Sequence, residues 1–146
     1  MEKLYLDDLK PGDVFESGEY ALNAEDIKAF ARQFDPQDFH LDEAAAEAGF
    51  FHDLVASGWH TAAITMRLVV ESVPLASGII GATVDLSWKR PVRPGERLRV
   101  RTVIDEIRVS RSKPDRGFAH TISETRNQNN ELCQVLRSKL VVFKRP

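Results

Sequence analysis

The stretch SGWHTAAITMRLVVESVP, residues 57–74, constrains the fold more than any other part of the sequence. Ser57 and Gly58 open it as a helix start, and Pro74 closes it. Between them Trp59, Ala62, Ala63, Ile64, Met66, Leu68, Val69, Val70 and Val73 spread around the helix instead of keeping to one stripe. A helix apolar over most of its circumference is expected to be buried on most sides. In a chain of 146 residues, one way to bury it is to wrap a curved sheet around it.

The second half of the chain supplies that sheet. From Ile80 to Trp88 apolar and polar residues alternate, with Ile80, Ala82, Val84, Leu86 and Trp88 on one face, which predicts a strand with one wet face. Pro91 to Gly95 reads as a turn. Leu98, Val100, Thr102 and Ile104 then alternate with Arg97, Arg99, Arg101 and Val103, and the apolar parity shifts to Ile107 and Val109. That shift predicts a bulge near Asp105-Glu106. Phe118 to Asn127 is a further strand, Asn129-Asn130 a hairpin tip, and Leu132 to Phe143 a last strand with apolar residues on both parities. Such a strand is central or meets a partner subunit. A short extra strand near Asp13 to Glu19 completes the set.

Two helices precede the central one. Asn23 caps AEDIKAFARQF, in which Ile27, Phe30, Ala31 and Phe34 recur at helical spacing until Pro36 stops the run. A second, shorter helix is expected from Asp42 to Ala48, ending at Gly49. Helices in the first half and strands in the second indicate an α+β fold in one domain, residues 1–146. The start of the chain lacks the apolar core of a secretory signal, and no stretch reaches the length of a membrane span. A soluble, cytoplasmic protein without membrane association is expected. The formal net charge of −2 gives no bulk attraction to nucleic acid.

One segment carries groups suited to acid–base work. In FDPQDFHLDE, Asp35 and His40 are separated by a proline-containing turn that folds both side chains toward one point. A carboxylate and an imidazole around one water are what hydration needs, and burial beside an apolar pocket is expected to move both pKa values toward working pH. The same spacing also fits ordinary cap and turn chemistry, with Asp38 or Asp42 capping the next helix. At the start of the buried helix, the amides around Ser57-Gly58-Trp59 form a donor site for an oxygen that gains negative charge. Ser57 as a simple N-cap and Gly58 as a packing requirement are compatible with that role. Trp59, Ala63, Met66 and Val70 are the helix residues expected to set pocket depth, and Ser57, Trp59 and Met66 are candidates for touching a substrate.

FDPQDFHLDEAAA, LVASGWHT and WKRPVRPGERLRV, in this order, resemble the MaoC-like dehydratase family, which includes (R)-specific enoyl-CoA hydratases. The resemblance covers nearly the whole chain. It implies a hot-dog fold, an antiparallel sheet wrapped around a long central helix. It implies that Asp35 and His40 are the catalytic pair and that the Gly58 amide contributes to the oxyanion hole. The implied reaction is hydration of a 2-enoyl-CoA thioester. It needs no cofactor, because CoA is part of the substrate. The resemblance also implies at least a homodimer, with strands continuing across the interface and the substrate lying between protomers. Where the family reads Gly-Asp-x-Asn-Pro-x-His, Phe34 replaces the glycine, Gln37 the asparagine and Asp38 the proline; Ser57 stands where histidine is frequent. Two other readings are a hot-dog acyl-CoA thioesterase and a non-catalytic acyl-CoA-binding module. The Asp-x-x-Gly-His pattern of one thioesterase group is absent.

His52, His60 and His120 make no metal motif with His40. Asp38, His40 and Asp42 alternate as metal ligands do, but a solvated loop is the better account of them. Arg97, Arg99 and Arg101, with Arg108, Arg111, Lys113 and Arg116 near the following loop, read as a solvated face or as recognition of a CoA phosphate. Cys133, mid-strand, reads as a small buried hydrophobe.

Overall fold

The computed structural model describes residues 1–146. After a 3-10 turn at Leu6–Asp8 come β1 (Val14–Glu16), β2 (Tyr20–Ala21), α1 (Ala24–Phe34), α2 (Asp38–Leu41), α3 (Glu43–Ala48) and α4 (Gly58–Ser72). Four strands follow: β3 (Gly81–Trp88), β4 (Arg97–Val109), β5 (Arg116–Arg126) and β6 (Leu132–Phe143). The antiparallel sheet runs β1-β4-β5-β6-β3, with β2 paired to β4. The α+β assignment holds, and the curved sheet around α4 is the hot-dog architecture. No helix is long and apolar enough to cross a membrane.

Local chemistry explains the element boundaries. The Asn23 side chain accepts from the Asp26 amide at the start of α1, and the Asp42 side chain accepts from Ala45 N at the start of α3. Between them, the segment expected to be a loop contains α2, which carries His40. The shift in apolar parity along β4 is a bulge: pairing with β5 skips a residue between Ile104 and Glu106. Leu98, Val100 and Ile104 therefore all face inward before the break. The final strand is central, between β5 and β3.

The core joins Ile64, Leu68 and Val69 of α4 to Leu98 and Val100 of β4, Ala119 of β5, and Leu140 and Val142 of β6. Two expectations are corrected here. First, α4 is not buried all round. Its inner face also carries His60, Thr61 and Thr65, while Trp59, Met66 and Val70 face outward. Thr65 on that face is met by polar partners on the sheet. Thr65 Oγ1 lies 2.7 Å from Thr125 Oγ1, and Gln134 Nε2 donates to Thr65 Oγ1 across 3.0 Å. Second, β3 does not bury its apolar face within this chain. Val84 is 65% exposed and Trp88 45% exposed, because β3 is the sheet edge and no element of the protomer covers it.

Candidate active site

The site forms where the end of α1 and the short α2 meet the start of α4. Asp35 is the residue after α1, its N–H still donating to Ala31 O across 2.9 Å. Pro36 has no amide to continue the helix. The chain turns through Gln37 N to Asp35 O, 2.8 Å, and His40 N to Gln37 O, 2.9 Å, into α2. These turns bring His40 Nε2 to 3.3 Å from Asp35 Oδ2. The other ring nitrogen, Nδ1, lies 2.7 Å from Val55 O. A carbonyl only accepts, so Nδ1 carries a hydrogen, and the opposite nitrogen, Nε2, faces the Asp35 carboxylate.

Asp35 is held from two sides. Ser57 Oγ donates to Oδ2 across 2.7 Å, and Gln37 Nε2 donates to Oδ1 across 2.7 Å. Burial pushes the carboxyl up, but the hydrogen bonds from Ser57 and Gln37, with the neighbouring His40, outweigh it and hold Asp35 below its ordinary value. The expected shift toward working pH does not occur at Asp35, because its donors stabilise the anion more than burial penalises it.

Facing the pair is the first turn of α4. Ser57 is fully buried and accepts from Trp59 N across 3.2 Å as the N-cap. The Gly58 amide takes part in no hydrogen bond within the chain, as befits an unpaired N-terminal donor. A side chain at Gly58 has no room: a Cβ there would stand 2.6 Å from the Trp88 ring. The indole packs on the glycine, and its Nε1 donates to Gly58 O across 2.9 Å. Trp59 meets Trp88 edge-on at 5.2 Å between ring centroids.

These groups border a cavity of about 450 Å³. Asp35, Gln37, His40, Gly58 and Trp59 line it, with Phe39, Phe51 and Trp88 as aromatic walls and Val55, Ala56 and Val92 as an apolar floor. Of the candidates from sequence, Asp35, His40, Gly58 and Trp59 meet at this cavity. Ser57 sits behind the wall, bonded to Asp35, and does not line it. Met66 lies farther along α4, 40% exposed, and does not line it either. Sequence reasoning missed Gln37, Trp88 and Lys89 as lining groups. A tryptophan ending a strand of perfect alternation was the one available signal.

The arginines proposed from sequence for phosphate recognition are largely engaged elsewhere. Arg97 pairs with Glu19 at 3.2 Å, Arg101 with Glu16 at 3.7 Å, Arg108 with Glu106 at 2.8 Å and Arg116 with Asp115 at 2.9 Å. Arg99 donates to Asn127 O and Asn130 Oδ1. None of them lines the cavity. The structure contains no group of three or more His, Cys, Asp or Glu side chains placed to hold a metal ion.

A curved sheet around a central helix, with an Asp–His pair facing the helix's free N-terminal amide, defines a hot-dog protein of the dehydratase kind. The chain belongs to the MaoC-like dehydratase family: the family model described as MaoC like domain matches residues 9–127. It is 31% identical over 125 residues to the uncharacterized protein YdeM of Bacillus subtilis, covering 84% of this chain and 87% of that protein. Among solved structures, the MaoC-like dehydratase of Rhodospirillum rubrum is 54% identical, with a TM-score of 0.96 over 98% of this chain and 99% of that chain. The R-hydratase PhaJ1 of Pseudomonas aeruginosa shares the fold at 21% identity, with a TM-score of 0.80 over 98% of this chain and 88% of that one.

Proposed function

We propose that this protein is a hydro-lyase that adds water across the double bond of a 2-enoyl-CoA thioester and catalyses the reverse dehydration. The observation that carries the reading is the 3.3 Å approach of His40 Nε2 to Asp35 Oδ2 at a cavity that also receives the unpaired Gly58 amide. The thioester oxygen accepts from Gly58 N–H, and one water sits between Asp35 and His40 over the β-carbon. The water oxygen bonds to Cβ while the π pair moves through Cα onto the carbonyl oxygen, giving an enolate held by the amide. Asp35 takes the released proton, and His40 orients the water and relays the proton to Cα. The net change is a hydroxyl on Cβ and a hydrogen on Cα. Because Asp35 is held below its ordinary value, its protonated form is a stronger acid than an ordinary carboxyl and gives the proton back more readily. No cofactor enters the sequence; the thioester itself acidifies Cα.

The working unit is a homodimer. Its support is an edge strand with free backbone groups and exposed apolar residues, Ile80 just before β3, Val84 on β3, and Met66 and Val70 on α4. Sedimentation velocity resolves it: a dimer in the wild type that Val84→Lys dissociates is expected, and a monomeric wild type contradicts it.

Activity is tested by following loss of enoyl absorbance with crotonyl-CoA and longer 2-enoyl-CoAs while free thiol is assayed in parallel. Absorbance loss without thiol is the expected result. Thiol release would make the protein a thioesterase, and acyl-CoA binding without turnover would make it a binding module.

A further inference from the structure

The cavity is polarised from floor to rim. Val55 and Val92 at its floor are 1% exposed, whereas its rim is formed where β3 ends and the chain passes through Lys89 and Arg90. These two are the only lysine or arginine residues that line it, and Asp35 is its only acid. Arg90 is spent on Glu131, 3.0 Å away. Lys89 has no ion pair and no side-chain hydrogen bond, although its backbone is fixed by N–H donation to Cys133 O across 2.8 Å. Its neighbour Trp88 is the residue that packs on Gly58. An exposed, unpaired ammonium is therefore anchored at the open end of the cavity, one residue from the wall behind the free amide.

We infer that Lys89 binds the phosphate at the end of the phosphopantetheine arm that carries the acyl thioester. This rests on the thioester reading above and gives the recognition of its carrier. With the thioester at Gly58 and the acyl chain against the apolar floor, the arm leaves through the rim, and the first charged group along it is a phosphate. A solvated ammonium is a point-charge partner for that anion. An acyl carboxylate is the poorer match, because the acyl end lies at the floor, where no cation is present. The same phosphate is found in CoA and in a phosphopantetheinylated carrier protein.

The test compares wild type, Lys89→Ala, Lys89→Arg and Lys139→Ala, the last removing a cation from the separate cleft around Arg111 and His120. Equilibrium binding of CoA and of pantetheine, which lacks the phosphate, is measured by calorimetry. Hydration of crotonyl-CoA, crotonyl-pantetheine and crotonyl-carrier protein is measured beside it. Lys89→Ala is expected to weaken CoA binding about three- to tenfold, leave pantetheine unchanged and raise KM for the phosphate-bearing substrates with kcat retained. Lys89→Arg restores most of the loss, and Lys139→Ala changes nothing. A KM effect confined to the CoA or the carrier-protein substrate identifies which source Lys89 reads. CoA affinity untouched by Lys89→Ala, equal weakening of pantetheine, or a wild type that binds neither CoA nor the carrier overturns the inference. Because CoA binding is read without turnover, absence of hydration with binding intact contradicts the hydratase reading alone.

Discussion

Ser57 and Asp35, 22 residues apart in the chain, are joined by a 2.7 Å hydrogen bond from the serine hydroxyl to the carboxylate. The same hydroxyl accepts from the Trp59 amide and caps α4. One side chain thus ties the start of the central helix to the carboxylate at the end of α1. Ser57→Ala is expected to cost about 1 kcal/mol through loss of the cap and to let the Asp35 pKa rise, since a donor to its anion is gone. Denaturant unfolding reads the first effect. The second appears as an upward move of the acid limb of the pH–rate profile, and Ser57→Thr restores it.

Gly58 has no space for a methyl group against Trp88. Gly58→Ala is expected to displace the indole, break its bond to Gly58 O and lower kcat about a hundredfold as the amide moves, with a stability loss of about 1–3 kcal/mol. Adding Trp88→Val to that variant removes the clash and recovers stability without recovering activity. Thermal unfolding and steady-state kinetics on the single and double variants check this.

His60 lies in the α1–α4 contact, stacked on Phe30 with ring centroids 4.6 Å apart. Burial pushes its pKa down, and Asp26 only partly opposes this. The unfolded chain therefore binds a proton that the folded chain refuses, so stability is full above the ordinary imidazole value of about 6.5 and falls as pH drops through it. Asp35 adds an acid-side loss of its own: its folded pKa is lowered, so its contribution is present above the unfolded carboxylate value and disappears as pH falls through the folded one. Denaturant unfolding across pH 7 to 5 is expected to show the first loss in wild type and a flatter profile in His60→Leu. An equal slope in both contradicts it.

The parts of this fold legible in the sequence were those set by local pattern. The parity shift past Ile104 gave the β4 bulge, Asn23 gave the start of α1, and Ser57 with Pro74 bracketed α4. Tyr20–Ala21, a strand of two residues, has too little periodicity to read. The inward face of β5 escaped for a different reason. Thr121, Ser123 and Thr125 are buried while Phe118 and Ile122 are only partly covered, because Thr102, Thr65 and Gln134 supply inward hydrogen-bonding partners. Hydrophobic alternation alone assigns that strand to the wrong face. In the site, the Asp35–His40 spacing was visible because one turn contains it. The bonds from Ser57 to Asp35 and from Trp88 to Gly58 cross from one element to another and leave no mark in spacing.

The most direct test of the central claim is kcat for crotonyl-CoA hydration in Asp35→Asn, His40→Ala and the double variant, each verified as folded. If both side chains act on one water, each single change lowers kcat about 10²–10⁴-fold, and the double variant is little worse than either. Near wild-type turnover in either folded single variant, or losses that multiply in the double, would contradict a shared two-residue site.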